Sequence, residues 1–233
     1  MADAMKEPLL DIYRRLFDFY GPQHWWPGDG DPFVVIVGAI LTQSAAWRNV
    51  EQALDRLRAA AALSPDAILA LPEDELASLI RPSGYFRMKA RKLRAFATML
   101  RERFDGDPAR LLALDIDELR TALLDTYGIG PETADDIVLY AAHKPGFIVD
   151  AYTRRIFDRL GIRPAVDSYD AWRRLFMDAL PADVALFNEY HALIVRQGKL
   201  TCRKTPLCPV CPLLSICPTG LFREPSAASA DGL

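Results

Sequence analysis

No part of this 233-residue chain stays apolar for long. The longest such run, Phe33 to Leu41, is interrupted by Gly38 and falls far short of the roughly 18–20 residues that cross a bilayer. The amino terminus, Met1 to Pro8, contains acidic residues and no apolar core, so no secretory leader is read there. An excess of positive charge is missing too: 28 Lys and Arg stand against 31 Asp and Glu, for a net charge of −3. That balance does not advertise a nucleic-acid binder. There is no β-hairpin signal, internal repeat or long linker, and cysteine is absent before position 202. These absences argue against a membrane protein and a disulfide-built fold, and a soluble cytoplasmic monomer is expected.

What is present is helix. Hydrophobic residues make up 51% of the chain, enough for one large domain or two smaller lobes sharing a long core. Apolar positions recur at helical spacing almost throughout. Over 86–104, Leu93, Phe96, Leu100 and Phe104 form one stripe with Lys and Arg opposite. Similar patterns predict helices near 8–19, 33–43, 47–62, 73–80, 115–126, 131–142, 151–160, 168–179 and 184–197. Asp31-Pro32, Ser64-Pro65, Pro72-Glu73 and Asp115 to Glu118 place caps or acids where helix starts favour them. The fold class expected is all-α, with about ten helices joined by short loops. Residues 221–233 read as a flexible tail.

Basic residues cluster despite the low net charge. Arg87, Lys89, Arg91 and Lys92 form one group, Arg154 and Arg155 a second, and Arg196, Lys199, Arg203 and Lys204 a third. Any one of these reads as a solvated helix face. Three of them beside loop motifs favour a phosphate-binding surface.

The four cysteines follow the spacing Cys202-x5-Cys208-x2-Cys211-x5-Cys217. Without a secretory signal, disulfides are disfavoured. Structural zinc usually takes two tight cysteine pairs, and only one exists here. A [4Fe–4S] cubane instead takes one thiolate at each of four separate corners. Spacing favours iron–sulfur and leaves zinc as the alternative. Pro206, Pro209, Pro212 and Pro218 stiffen a segment with little core of its own, which a metal would organise.

Tyr127-Gly128-Ile129-Gly130-Pro131-Glu132-Thr133-Ala134 lies between two amphipathic helices. Its glycines permit a tight turn with positive φ, and Pro131 suits a first helical turn. Backbone N–H groups at such a helix start can hold a phosphate. About twenty residues on, Phe147-Ile148-Val149-Asp150 ends an apolar run in a carboxylate. Alone, Asp150 reads as a helix N-cap.

Taken together, the helix–hairpin–helix, the aspartate after its second helix and the four-cysteine loop resemble the endonuclease III superfamily of DNA glycosylases. The resemblance covers about residues 30–218. It implies a six-helix barrel lobe at 30–146, with the hairpin at about 117–142. Residues 1–29 and 147–220 would form a second lobe with the cluster loop 202–217. Double-stranded DNA with a damaged base would bind across the cleft between lobes, with Asp150 as the catalytic carboxylate. Gly128, Gly130, Thr133, Arg154 and Lys199 are candidate DNA contacts. Bifunctional members carry a lysine where this chain has Glu132, so no Schiff base and no strand-cleaving lyase activity are expected. The first cysteine interval is also one residue shorter than in most cluster-bearing members.

Trp25-Trp26-Pro27, Ile40-Leu41-Thr42-Gln43 and Arg81-Pro82-Ser83-Gly84-Tyr85-Phe86-x-x-Lys89-Ala90 resemble the 3-methyladenine DNA glycosylase III branch. The resemblance implies that Gln43 fills the vacated base stack, that the Tyr85 loop wedges the opposite strand and that Lys89 contacts DNA. Trp25, Trp26 and Trp47 are candidate walls of a pocket for a flipped, cationic purine. Tyr152 and Arg154 are candidates to orient Asp150 or to hold phosphate.

Overall fold

A computed structural model describes residues 2–25 and 30–222. Every regular element among the described residues is helical, and none of these helices is long and apolar enough to cross a membrane. The chain divides into two compact units, residues 26–146 and residues 1–25 with 147–233.

Helix α1 (Ala2–Tyr20) belongs to the discontinuous unit. It begins six residues before the predicted start, running through Pro8 at the loss of one backbone donor. The continuous unit then carries α2 (Pro32–Thr42), α3 (Trp47–Ala59), α4 (Pro65–Ala70), α5 (Glu73–Leu79) and α6 (Phe86–Phe104), with a 3₁₀ turn at Arg81–Ser83 before α6. It continues with α7 (Pro108–Leu112), α8 (Ile116–Leu124) and α9 (Pro131–Asp136), which runs on as a π-helical turn at Ile137–Ala141. The returning chain forms α10 (Ala151–Arg159), α11 (Tyr169–Met177), α12 (Val184–Leu200) and a short α13 (Pro218–Leu221).

Helix α2 is the axis of the continuous unit. Its residues from Phe33 to Leu41 are all buried, as an all-apolar helix requires. Asp31 caps it, accepting from the Phe33 N–H at 2.8 Å, and Pro32 occupies the first turn. Helices α3, α6, α7 and α9 pack against it. From α6, Leu93, Phe96 and Leu100 point inward as the periodicity predicts, but Lys89 is buried with them.

The discontinuous unit is built on aromatics. Phe147 stacks on Phe176 with centroids 3.9 Å apart, and Phe187 and Tyr190 meet its edges. The Tyr190 hydroxyl donates to the Leu9 carbonyl at 2.7 Å, fastening α12 to α1. Phe147, Ile148 and Val149 are thus sunk in core. The next residue, Asp150, is held in a fixed position by that burial and by the start of α10.

Candidate active site

Asp150 is the N-cap of α10. Its Oδ1 accepts from the Thr153 N–H at 2.7 Å and from the Thr153 hydroxyl at 2.9 Å. Its Oδ2 lies 3.8 Å from Nε2 of His191 on α12. The two side chains are only 13% and 8% exposed. Burial alone would raise the Asp150 carboxyl, yet the facing His191 imidazole, then the two donors of Thr153, outweigh it. The group is held below the ordinary carboxylate range. It is therefore both a cap and a buried carboxylate kept ionised, and the first role fixes the geometry of the second. Sequence reading missed His191, which lies 41 positions away in an apolar stretch of α12; its only signal was an ionisable residue between Tyr190 and Ala192.

The other residues expected near Asp150 face elsewhere. Arg154 pairs with Asp167 at 2.7 Å and lies over Trp172. The ring of Tyr152 lies against Gly198, where a Cβ would collide with it, and Arg155 covers its face. Each of these side chains thus has a partner other than Asp150.

In the continuous unit the hairpin and Gln43 come together. The Gln43 amide donates to the Gly128 carbonyl at 3.1 Å and to the Thr133 hydroxyl at 2.9 Å, and its carbonyl accepts from Lys92. Gly128 has φ +85°, and a Cβ there would also strike the stem of Lys92. Glycine is required at this position on both counts. Gly130, by contrast, has φ −92° as the N-cap of α9, with open space around it. The expected positive φ occurs at the first glycine only. Thr133 is buried with its hydroxyl turned onto Gln43. Arg120 of α8 reaches Asp135 of α9 at 3.0 Å, tying the two hairpin helices together. Glu132 is exposed on the first turn of α9.

Lys89 corrects a further expectation. It is 2% exposed, and its ammonium donates to the carbonyls of Leu41 at 2.8 Å and Ser83 at 2.6 Å. Burial and the nearby Lys92 lower its pKa to about 8. A side chain so placed cannot touch a phosphate. The basic clusters as a whole are more committed than their sequence implies: Arg91 pairs with Glu73, and Arg155 donates to the carbonyls of Gly198 and Cys202. Lys199 lies over the ring of Trp25, 5.8 Å from its centroid. Trp25 and Trp47 are each part-buried, while Trp26 lies outside the described residues. Tyr85 stands in the left-handed region at φ 45° and is 74% exposed.

Cys202, Cys208, Cys211 and Cys217 line one small cavity with Arg159 and Leu214. Arg159 donates to the Cys202 sulfur and Gln197 to the Cys211 sulfur, each at 3.1 Å. Such donors suit anionic thiolates. Among the described residues no three His, Cys, Asp or Glu are gathered closely enough to hold a metal ion. Tetrahedral zinc needs its sulfurs on one centre, whereas a cubane spreads them to separate corners. Four cysteine sulfurs lining one cavity are a donor set that either group could use.

A family model described as HhH-GPD superfamily base excision DNA repair protein matches residues 37–182, and the chain belongs to that superfamily. A protein of Methanocaldococcus jannaschii, whose name gives it provisionally as a DNA repair glycosylase, is 42% identical over 219 residues, or 93% of this chain and 99% of that one. A non-covalent endonuclease III–DNA complex superposes with a TM-score of 0.80 at 25% identity, covering 93% and 96% of the two chains. The H. pylori 3-methyladenine DNA glycosylase MagIII, bound to 1,N6-ethenoadenine, does so with a TM-score of 0.70 at 25% identity, covering 85% and 97%. The resemblance to the endonuclease III superfamily therefore holds: the protein has the all-α endonuclease III fold and is a DNA glycosylase of base excision repair, with DNA as its partner.

Proposed function

We propose that this glycosylase is monofunctional and hydrolyses N-alkylated purines of the 3-methyladenine type from double-stranded DNA, with Asp150 as the catalytic carboxylate. The observation that carries the reading is the placement of Asp150, a buried carboxylate at the head of α10 that accepts twice from Thr153 and faces His191 at 3.8 Å. Alkylation at N3 or N7 makes a purine cationic, so its bond to C1′ breaks with the electron pair leaving on the base. What the reaction then needs is a negative charge beside the developing oxocarbenium and a polarised water. Asp150 supplies the first, and as the water's oxygen bonds to C1′ it takes the displaced proton. A neutral lesion needs an acid on the leaving base instead. His191 faces Asp150, a position suited to steadying the carboxylate.

Glu132 at the lyase position supports simple hydrolysis, since a carboxylate forms no imine with the sugar. Trp25 is the aromatic face proposed for the flipped base. The Lys199 ammonium over Trp25 is consistent with an aromatic face that attracts cations, an effect worth ~1–2 kcal/mol when desolvated. The cysteine loop would hold a [4Fe–4S] cluster through Cys202, Cys208, Cys211 and Cys217, and the cluster's contribution there is structural cross-linking of the loop.

The deciding experiment incubates purified protein with duplexes carrying 3-methyladenine, thymine glycol or adenine opposite 8-oxoguanine. Release of the alkylated purine, an intact abasic strand and no borohydride-trapped adduct are expected. Efficient removal of thymine glycol without the alkylpurine would overturn the specificity, and robust trapping would overturn the mechanism. Lesion binding without base release would leave a non-catalytic lesion sensor.

A further inference from the structure

The buried ammonium of Lys89 has no role in the reading above, and its two partners are informative. Leu41 lies two residues before Gln43, at the end of α2. Ser83 lies two residues before Tyr85, in the 3₁₀ turn that precedes α6. One side chain thus joins the backbones that lead into the two loops proposed to probe DNA. Both carbonyls are near helix ends, where backbone acceptors have no intrahelical donor. One turn further along α6, Lys92 passes over Gly128 to the Gln43 carbonyl. The same face of α6 therefore reaches the Tyr85 loop, the Gln43 loop and the hairpin.

We propose that Lys89 is a positioning residue that sets the spacing of the Gln43 and Tyr85 loops, so that both engage the duplex around one extruded nucleotide. This rests on the reading of Gln43 and Tyr85 as the residues that enter the stack. A lysine suits the task because three donors on one tetrahedral head can serve two carbonyls of unrelated direction. Burying a charge here is costly, and the cost is offset by two charge-assisted hydrogen bonds to otherwise unmatched acceptors. A purely structural lysine would stabilise the whole unit; a positioning lysine acts on two loops.

The test is a mutant cycle on a lesion duplex with 2-aminopurine beside the lesion, reporting flipping by fluorescence and base release under single turnover. Lys89→Met keeps the stem and removes the donors. A loss on the order of 10²-fold in flipping and release is expected, the scale of a misplaced recognition element. In a Gln43→Ala/Tyr85→Ala background the same substitution should cost less than about 3-fold, because coupled positions are not additive. Full additivity would overturn the proposal. If Gln43→Ala and Tyr85→Ala leave release unchanged, the DNA-probing reading of those loops fails instead. Hydrogen exchange on the free protein judges the tie independently, with Lys89→Gln serving should Lys89→Met not fold. Faster exchange confined to residues 42–45 and 83–86 supports it, and uniform loosening of 30–146 overturns it.

Discussion

Asp150 combines a local role visible in sequence with a tertiary one that is not. Capping and the approach from an apolar run are legible in Phe147 to Asp150, because both depend on neighbours within three residues. The imidazole of His191 is not, because only the packing of α10 on α12 brings it there. Lys89 was misread for the same reason: a lysine in an amphipathic pattern reads as solvated, and nothing local announces two unmatched carbonyls 6 and 48 residues away. The carboxylate makes a testable difference to pH dependence. Its folded-state pKa is depressed, so its contribution to stability is complete above the ordinary carboxylate range and is lost as pH falls through the folded value. Asp150→Asn should keep the cap, bind lesion DNA and lose turnover by at least 10³-fold, on the order of the loss of a principal electrostatic group. Its stability deficit relative to the unaltered protein should be larger at pH 6 than at pH 3, measured by denaturant titration. An equal deficit at both pH values would mean that the carboxylate is not held ionised.

At the scale of elements, the long amphipathic helices were predicted where they occur, since each spans at least two turns of clear period. The short α4 and α7 were not predicted as helices, although Ser64-Pro65 was read as a start; five or six residues display too little period. The π-helical turn at Ile137–Ala141 was likewise read as ordinary helix, because one extra residue in a turn leaves no mark on an apolar sequence. The hairpin shows how far a motif can be taken. Gly-x-Gly announces a tight turn, but only the folded backbone tells the two glycines apart. Gly128→Ala should destabilise by more than about 1–2 kcal/mol, the cost of an L-residue in the left-handed region, because the added Cβ also meets Lys92. Gly130→Ala should cost less, on the order of 0.5–1 kcal/mol, because alanine is a poorer N-cap than glycine but meets no strain or clash there. Chemical denaturation of the two variants checks the pair, and comparable losses at both sites would contradict the turn geometry described.

For the molecule as a whole, the telling feature is that one unit is assembled from both ends of the chain. Its closure depends on contacts between α1, α10 and the segment after α12. Tyr20 of α1 bonds to Gln197 and Thr201 at 2.7 Å, and the same Gln197 donates to the Cys211 sulfur. Arg159 of α10 holds the Cys202 sulfur and the carbonyls of Arg203 and Lys204. In return its own carbonyl accepts from Thr219 at 2.9 Å. The cysteine loop itself has only short 3₁₀ turns, and among its four cysteines' neighbours little is fully buried. Hydrogen bonds to such a loop are individually worth about 1 kcal/mol, too little to order sixteen residues against their conformational entropy. A four-thiolate cross-link would supply the difference, and would do so at the point where α1, α10 and α12 converge. Protein prepared without oxygen should therefore contain about four irons per chain. Cys208→Ala should lower iron content and the unfolding temperature together. Hydrogen exchange should then quicken in α10, α12 and α13, while α2 and α6, which share none of these contacts, keep their protection. Stoichiometric zinc in place of iron, or loss of iron with no change in exchange at α10 and α12, would show that the loop is organised by something other than a cluster.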